Sequence, residues 1–455
     1  MRPGETETEK NMKQVIARPG MTDSQTIEAA LRGLDGDRIL HIGPRICEEE
    51  PDRRYWLLDR AIVIPAHTTV LLENCKIKLS DRCRDNFFRS ANCGMGVENP
   101  ERIQDIHICG IGTCILEGAD HPRATGDASK QLACPCPKTI EDLIRMADWI
   151  PQESRKTGAV DFWVEHSHSY GTDAGKPGQS QCGDWRNIGI LLANVENFSI
   201  ENLRIVESHG WGISLEACSD GRVEKIKFQA RMAREIDGLL QNVENQDGVD
   251  LRNGCHDILL SDITGGTGDD LIALTACAGE EQYIPGGSLN STHVMHNDWS
   301  RRDADIHDIL IRNVVGYSMG GVCYIVRLLP ANTKIWNVVI DGVIDNSSDA
   351  AQERRSAPDP DVQSGGVILL GDRDGFWGRN LPGSIRGLSI SNVICNGNSA
   401  IEVQGYVSDS AICNVLNRNP DCPVIDVVRK DGLTNVATAN LVSTGGQMIV
   451  RRQNP

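Results

Sequence analysis

Residues 245–274 read NQDGVDLRNGCHDILLSDITGGTGDDLIAL, and the organisation of the chain follows from how this stretch echoes itself. Two acidic motifs, Asn245-Gln-Asp247-Gly and Gly268-Asp269-Asp270, lie about 22 residues apart. Each runs into a short alternating apolar segment, Val249/Leu251 and Ile272/Leu274. If that spacing is one coil of a parallel β-helix, the two segments are neighbouring rungs, about 4.8 Å apart. Asp247, Asp269 and Asp270 then crowd one patch. Like charges so placed force one carboxyl to keep a proton. A proton-bearing acid beside an ionised carboxylate is what cleavage of a glycosidic bond requires.

Outward from this stretch one phrase recurs: apolar-x-apolar, a polar pair, an apolar residue. It appears as Phe198–Leu203, Ile258–Ile263, Ile309–Val314, Val338–Val343 and Leu388–Val393, with a looser copy at Val70–Cys75. Each is a short alternating strand followed by an Asn, Asp or Gly turn. A second short strand led by a small residue follows several copies: Gly212–Leu215, Gly248–Leu251, Gly321–Tyr324, Gly366–Leu369 and Ala400–Val403. Spacing between copies is irregular, as expected of a solenoid whose loops vary while its stacked strands persist. A β-sandwich also has many short strands, but it gives no reason for the two-strand phrase. The expected fold is all-β, a single-stranded right-handed parallel β-helix with an N-terminal capping helix and long loop insertions.

The insertions fall at about 119–186, 277–304 and 345–364. The first contains a helical pattern over Thr139–Trp149, with Ile140, Leu143, Ile144 and Ala147 on one face. Asp23–Leu31 reads as a helix with an acidic or Ser N-cap, placed to cover the open end of the solenoid. Residues 1–20 read as a solvated tail and 21–455 as one β-helix domain.

Composition narrows the partners. The net charge of −17 argues against nucleic acid. No run of 18 apolar residues suggests a membrane span, and the first ten residues show no apolar secretory core. Sixteen cysteines without a Cys-x-x-Cys pair do not form a zinc pattern. Cys75, Cys109, Cys323 and Cys395 sit in apolar, strand-like stretches and read as small buried hydrophobes. The expectation is a reduced, cytoplasmic protein with no metal or cofactor, acting on imported oligosaccharides; self-association stays open.

Around the acid cluster, His209, next to Trp211, is read as a cleft residue that hydrogen-bonds a sugar, or as a buried turn residue. Arg252 either enters the cleft or neutralises the carboxylates. His293 and His296 lack a third metal ligand.

Together these features resemble the pectinase-like β-helix superfamily, and within it the polygalacturonase-type glycoside hydrolases of family 28. Asp23–Leu31 is similar to that superfamily's capping helix, Ile108–Gly118 to its early glycine-rich coil, and Ser208–Ile213 to its Trp-bearing segment. Asn245-Gln-Asp247-Gly and Gly268-Asp269-Asp270 match its two catalytic motifs in type, order and separation. The resemblance implies inverting hydrolysis, with Asp269 as general acid and Asp247 and Asp270 activating water. Asn245, at the head of the first motif, is read as a substrate-binding residue. The family's Gly-His-Gly is replaced by Gly316–Gly321, which has no histidine, and Arg327 is the nearest counterpart of its Arg-x-Lys grip on the galacturonate carboxylate. The expected activity is exo-acting hydrolysis of an oligosaccharide, a galacturonide or related sugar. The alternatives on this scaffold are a lyase, an epimerase, a glycosyl transferase or a non-catalytic carbohydrate-binding protein.

Overall fold

The computed structural model describes residues 12–451 except 35–37, 82, 84, 95–96, 98, 121–183, 232, 237–238, 243–245, 278–293, 296–301, 320–322, 348–365 and 373–379. The Thr139–Trp149 segment and most of all three insertions lie outside the described residues.

The repeated phrase becomes a right-handed parallel β-helix. Its copies lie in long strands, among them Val195–Val206, Ile306–Ser318, Ile335–Asp345 and Ile385–Cys395, which stack in register in a 16-stranded sheet. The second strands of the phrase form a separate 11-stranded sheet, which includes Ile213–Glu216, Val249–Arg252, Ile272–Cys277, Val326–Ala331, Ile368–Leu370 and Ile401–Val403.

The phrase has a backbone cause. Its second polar residue adopts a left-handed conformation: Asn202, Asp262, Asn313, Gly342 and Asn392 all have φ between 55° and 80°. Asn, Asp and Gly tolerate this region best. The bend resets the two-residue alternation, so the apolar positions on both sides of it face inward. Ile311 and Val314, like Ile340 and Val343, are fully buried. Each such side chain contributes roughly 1.5–3 kcal/mol of burial. The bend residues stack as well: Asn414 donates Nδ2–H to Asn392 Oδ1 at 3.3 Å, and Asn440 does the same to Asn414 at 2.9 Å.

The N-terminal helix spans Asp23–Arg32, and its cap is Thr22 rather than Asp23 or Ser24. Thr22 and Gln25 form a reciprocal capping box. Asp23 is instead buried against Arg45 and Arg53 and accepts the Leu57 N–H at 2.8 Å. Ile27, fully buried, closes the core at this end.

Two further expectations need correction, and one element was not foreseen. The tail read over residues 1–20 contains a strand, Met12–Gln14, paired in parallel with Arg38–Ile42, and Val15 is buried. Its side chains are exposed, which is what the composition registered, but its backbone is held by the sheet edge. Of the strand placed at Gly321–Tyr324, the described residues Cys323 and Tyr324 lie instead in the irregular segment that enters the strand Val326–Ala331. An antiparallel hairpin, Ala233–Ile236 with Leu239–Asn242, precedes Asp247 and carries no trace of the repeated phrase.

Candidate active site

Parallel register builds the site. Gly212 N–H donates to the Asp247 carbonyl, Gly248 N–H to that of Asp270, and Leu271 N–H to that of Tyr324, each at 2.9–3.0 Å. Trp211, Asp247, Asp270 and Tyr324 therefore occupy one position on four successive rungs, at the entrance to the short strands. Glycine follows Asp247 because the rungs approach closely: a Cβ on Gly248 would lie 2.3 Å from the Leu271 carbonyl oxygen. A second column runs through the middle of the short strands, with Asp250 paired to Ala273 and Ala273 to Arg327. The small Ala273 leaves room between acid and base.

Asp270 is the most tightly held carboxylate. Its Oδ1 accepts the Tyr324 N–H at 2.6 Å, and its Oδ2 accepts from Arg327 Nη1 at 3.2 Å. Burial still wins over these contacts and raises its pKa to about 7, with Arg327 and the Tyr324 N–H opposing and Asp269 adding to the rise. Asp247 is pushed well above the usual carboxylate range, first by burial and then by Asp269, Asp250 and Asp270. Asp269 is the more accessible member of its pair. Its Oδ1 takes the Asp270 N–H at 3.0 Å, and its carbonyl accepts the hydroxyls of Thr267 and Ser318 at 2.7 and 2.8 Å.

The structure thus brings Asp247, Asp269, Asp270 and Arg327 together. Arg252 is fully buried, its guanidinium 4.6 Å from the centre of the Trp211 ring, and it opposes the upward shift of Asp250. His209 is also buried, and its Nε2 accepts the Ala119 N–H at 2.8 Å. That contact accounts for Nε2 through the fold itself. Asn245 lies outside the described residues.

Several residues of the site were not singled out from the sequence. Asp250 is 2% exposed, and burial drives its carboxyl well above the ordinary range. Gln246, fully buried, donates Nε2–H to the Ser208 carbonyl at 2.7 Å. Tyr324 gives its hydroxyl proton to Glu402 Oε2 at 3.0 Å. The signal for Asp250 and Glu402 was available. Each stands between two inward apolar residues of a short strand, Val249/Leu251 and Ile401/Val403, so alternation aims it outward. Cys323, read as a buried hydrophobe, instead stands beside the acid pair: donor atoms of Cys323, Asp269 and Asp270 lie within 4.8 Å of one another. Both Asp270 oxygens already accept hydrogen bonds, one from a cation, which disfavours a metal ion there.

On the N-terminal side of these rungs an apolar cluster covers the sheet. Trp185, Ile188, Val294 and Met295 pack over the outward-facing Leu191 and Ala193. Glu216 anchors this cover by accepting the Val294 and Met295 N–H groups at 3.0 and 3.3 Å.

Residues 173–293, which include Asp247, Asp269 and Asp270, match the sequence profile of the glycosyl hydrolases of family 28. No curated protein matches the chain. Similar solved structures include the polygalacturonase of Erwinia carotovora ssp. carotovora, at 11% identity and TM-score 0.50, covering 98% of this chain and 96% of that one. A family 28 exopolygalacturonase of Yersinia enterocolitica aligns at 13% identity and TM-score 0.52, over 96% and 78% of the two chains. A tailspike protein mutant of Escherichia coli bacteriophage HK620 aligns at 10% and 0.51, over 96% and 62%. At such identities the likeness speaks for the fold, and the profile match speaks for a glycoside hydrolase in general. With its coils, its paired aspartate motifs and the matched segment, the chain has the right-handed parallel β-helix fold and resembles, in divergent form, the family 28 glycosyl hydrolases.

Proposed function

We propose that the protein is an inverting, exo-acting glycoside hydrolase of oligosaccharides. The observation that carries the chemistry is the shared register of Asp247 and Asp270 beside Asp269, with Arg327 paired to Asp270. Asp270, held toward its ionised form by Arg327 and the Tyr324 N–H, is the base that takes a proton from water. Asp247, which burial keeps protonated, orients that water. Asp269, the accessible carboxyl, protonates the leaving oxygen. Inversion needs the acid and base carboxyls roughly 6.5–9.5 Å apart in the complex.

The apolar cover supports exo action. It closes the outer face before Asp250, reaching Glu216 on the rung immediately before it, about 5 Å away. A polymer threading past the acids would meet Trp185 and Met295.

Digestion of defined oligosaccharides tests all three parts. Single-residue release from one end from the first time point is expected, with the anomer inverted by proton NMR. Mid-chain products would sink the exo reading, and a retained anomer the inverting one. Products with unsaturated ends would select a lyase. Turnover that persists in Asp269→Asn would remove Asp269 from the mechanism.

A further inference from the structure

Two cysteines stand on neighbouring rungs near the helix-capped end. The short strand Lys76–Leu79 pairs in parallel with Ile115–Glu117, Lys76 opposite Ile115, and the Ile115 N–H donates to the Cys75 carbonyl at 3.0 Å. Cys75 and Cys114, one residue before that pairing, are therefore in register on strands about 4.8 Å apart. A disulfide spans Cα separations of roughly 4.4–6.8 Å. The two residues are 4% and 2% exposed, and the Cys75 thiol donates to the Cys114 sulfur. Both are free thiols in this structure. The Leu72 and Ile111 carbonyls, 3.2 and 3.3 Å from Cys114 Sγ, accept the proton of that sulfur in its neutral form. We infer that Cys75 and Cys114 are a redox-active pair, a modification site at which a peroxide closes a disulfide between two coils. Cys75, which the sequence reads as a small buried hydrophobe, then has a chemistry of its own.

Two features separate this pair from core cysteines. The first is position. Each residue directly follows an exposed corner residue, Asn74 or Thr113, and the Thr113 N–H donates to Asn74 Oδ1 at 3.2 Å. A molecule as small as hydrogen peroxide has only this corner to pass. The second is the contact between the thiols. Cys218 and Cys255 are also in register, since Ser219 pairs with His256, but both are fully buried. Their thiols donate to backbone instead, to the Leu192 carbonyl at 3.4 Å and the Leu215 carbonyl at 3.2 Å. In the corner pair the shared hydrogen bond favours ionisation of Cys114 and, together with burial, opposes that of Cys75. This divides the pair into an attacking and a resolving sulfur. The Cys114 thiolate attacks one peroxide oxygen, the O–O bond breaks, and the hydroxide that leaves takes a proton to become water. The sulfur of Cys75 then attacks the sulfenic acid on Cys114. An S–S bond forms, the S–O bond breaks, and hydroxide departs with the Cys75 proton as a second water. The two cysteines together give up two electrons, and one peroxide is reduced to two waters.

The test treats the full-length protein with dilute hydrogen peroxide, blocks remaining thiols with iodoacetamide and maps peptides by mass spectrometry without reductant. A Cys75–Cys114 linked peptide, separated by dithiothreitol, should be the first disulfide to form. The link closes a stretch of about 39 residues, so the oxidised protein should melt about 5 °C higher, and dithiothreitol should abolish that gain. In Cys75→Ser the resolving sulfur is gone, and dimedone should trap a sulfenic acid on Cys114 that wild type does not retain. Three results overturn the inference: a Cys218–Cys255 link in place of the corner pair, dimedone adducts on Cys114 in wild type and variant alike, or both corner thiols left free by peroxide. The linked peptide is read on wild type, so it decides the matter even where Cys75→Ser does not fold.

Discussion

The outer faces of the two sheets obey opposite rules. On the long-strand sheet the outward positions are solvated, and carboxylates there are stabilised as anions. Asp341 accepts from Ser391 and Asn392, which hold its pKa below the usual value. On the middle and later rungs of the short-strand sheet several outward positions are covered: Asp250, Arg252, Glu402 and Asp426 are each no more than 4% exposed. Burial there raises Asp247, Asp250 and Asp270. The same backbone coil thus carries carboxylates that help the fold on one face and strain it on the other. Perturbed, desolvated acids gathered in one place mark a functional surface.

The largest expected effect separates the faces by activity. Asp269→Asn should lower kcat by about 10³-fold, within the range for a lost general acid, while thermal unfolding moves little. A loss of cooperative unfolding would instead make Asp269 a structural residue. Next comes the shared core. Ile340→Ala, fully buried beneath the long sheet, should cost roughly 2–5 kcal/mol by denaturant unfolding, with catalysis per folded molecule unchanged.

The pH dependence of stability should have opposite signs. Asp247 binds its proton more tightly when folded, so at a pH above its unfolded value, near 3.9, the folded state carries more protons and stability falls as pH rises. Asp247→Asn, which mimics the protonated form, should therefore raise the melting temperature at pH 8 and lose that gain toward pH 4, while activity collapses. An unchanged difference across this range would contradict the burial argument. Asp341 is the reverse: its contribution is present above its unfolded pKa and is lost as pH falls through the lowered folded value. Asp341→Asn should destabilise slightly at pH 7, by less than about 1 kcal/mol for an exposed group, and hardly at all at pH 3. Smallest of all should be Arg222→Ala, which removes an exposed pair with Glu201; a change beyond about 1 kcal/mol in urea unfolding would break the contrast.

Much of this was legible in order along the chain. The phrase around Ile258–Ile263 states a local rule, alternation plus a residue that tolerates positive φ, and every copy obeys it because the cause is local. Asp247, Asp269 and Asp270 were legible for the same reason: one coil of spacing turns distance along the chain into proximity. Local patterning failed where a contact came from outside the coil. Thr22 replaced Asp23 as the helix cap because Arg45 and Arg53 draw Asp23 into the end of the core. His209 is engaged by the backbone of Ala119, 90 residues earlier. Cys323 looked like core filler, but it lies in the irregular segment that enters the strand Val326–Ala331, beside the acids.

By itself, then, the sequence determined the coil, its inward apolar columns and the rung that carries the acids, since these depend on periodicity and backbone preference alone. Only the tertiary structure decided which carboxyl is paired, which is buried and which faces open space. Those properties come from desolvation and from partners such as Arg327 and Tyr324, 57 and 54 residues beyond Asp270 in the chain, and no local pattern encodes them.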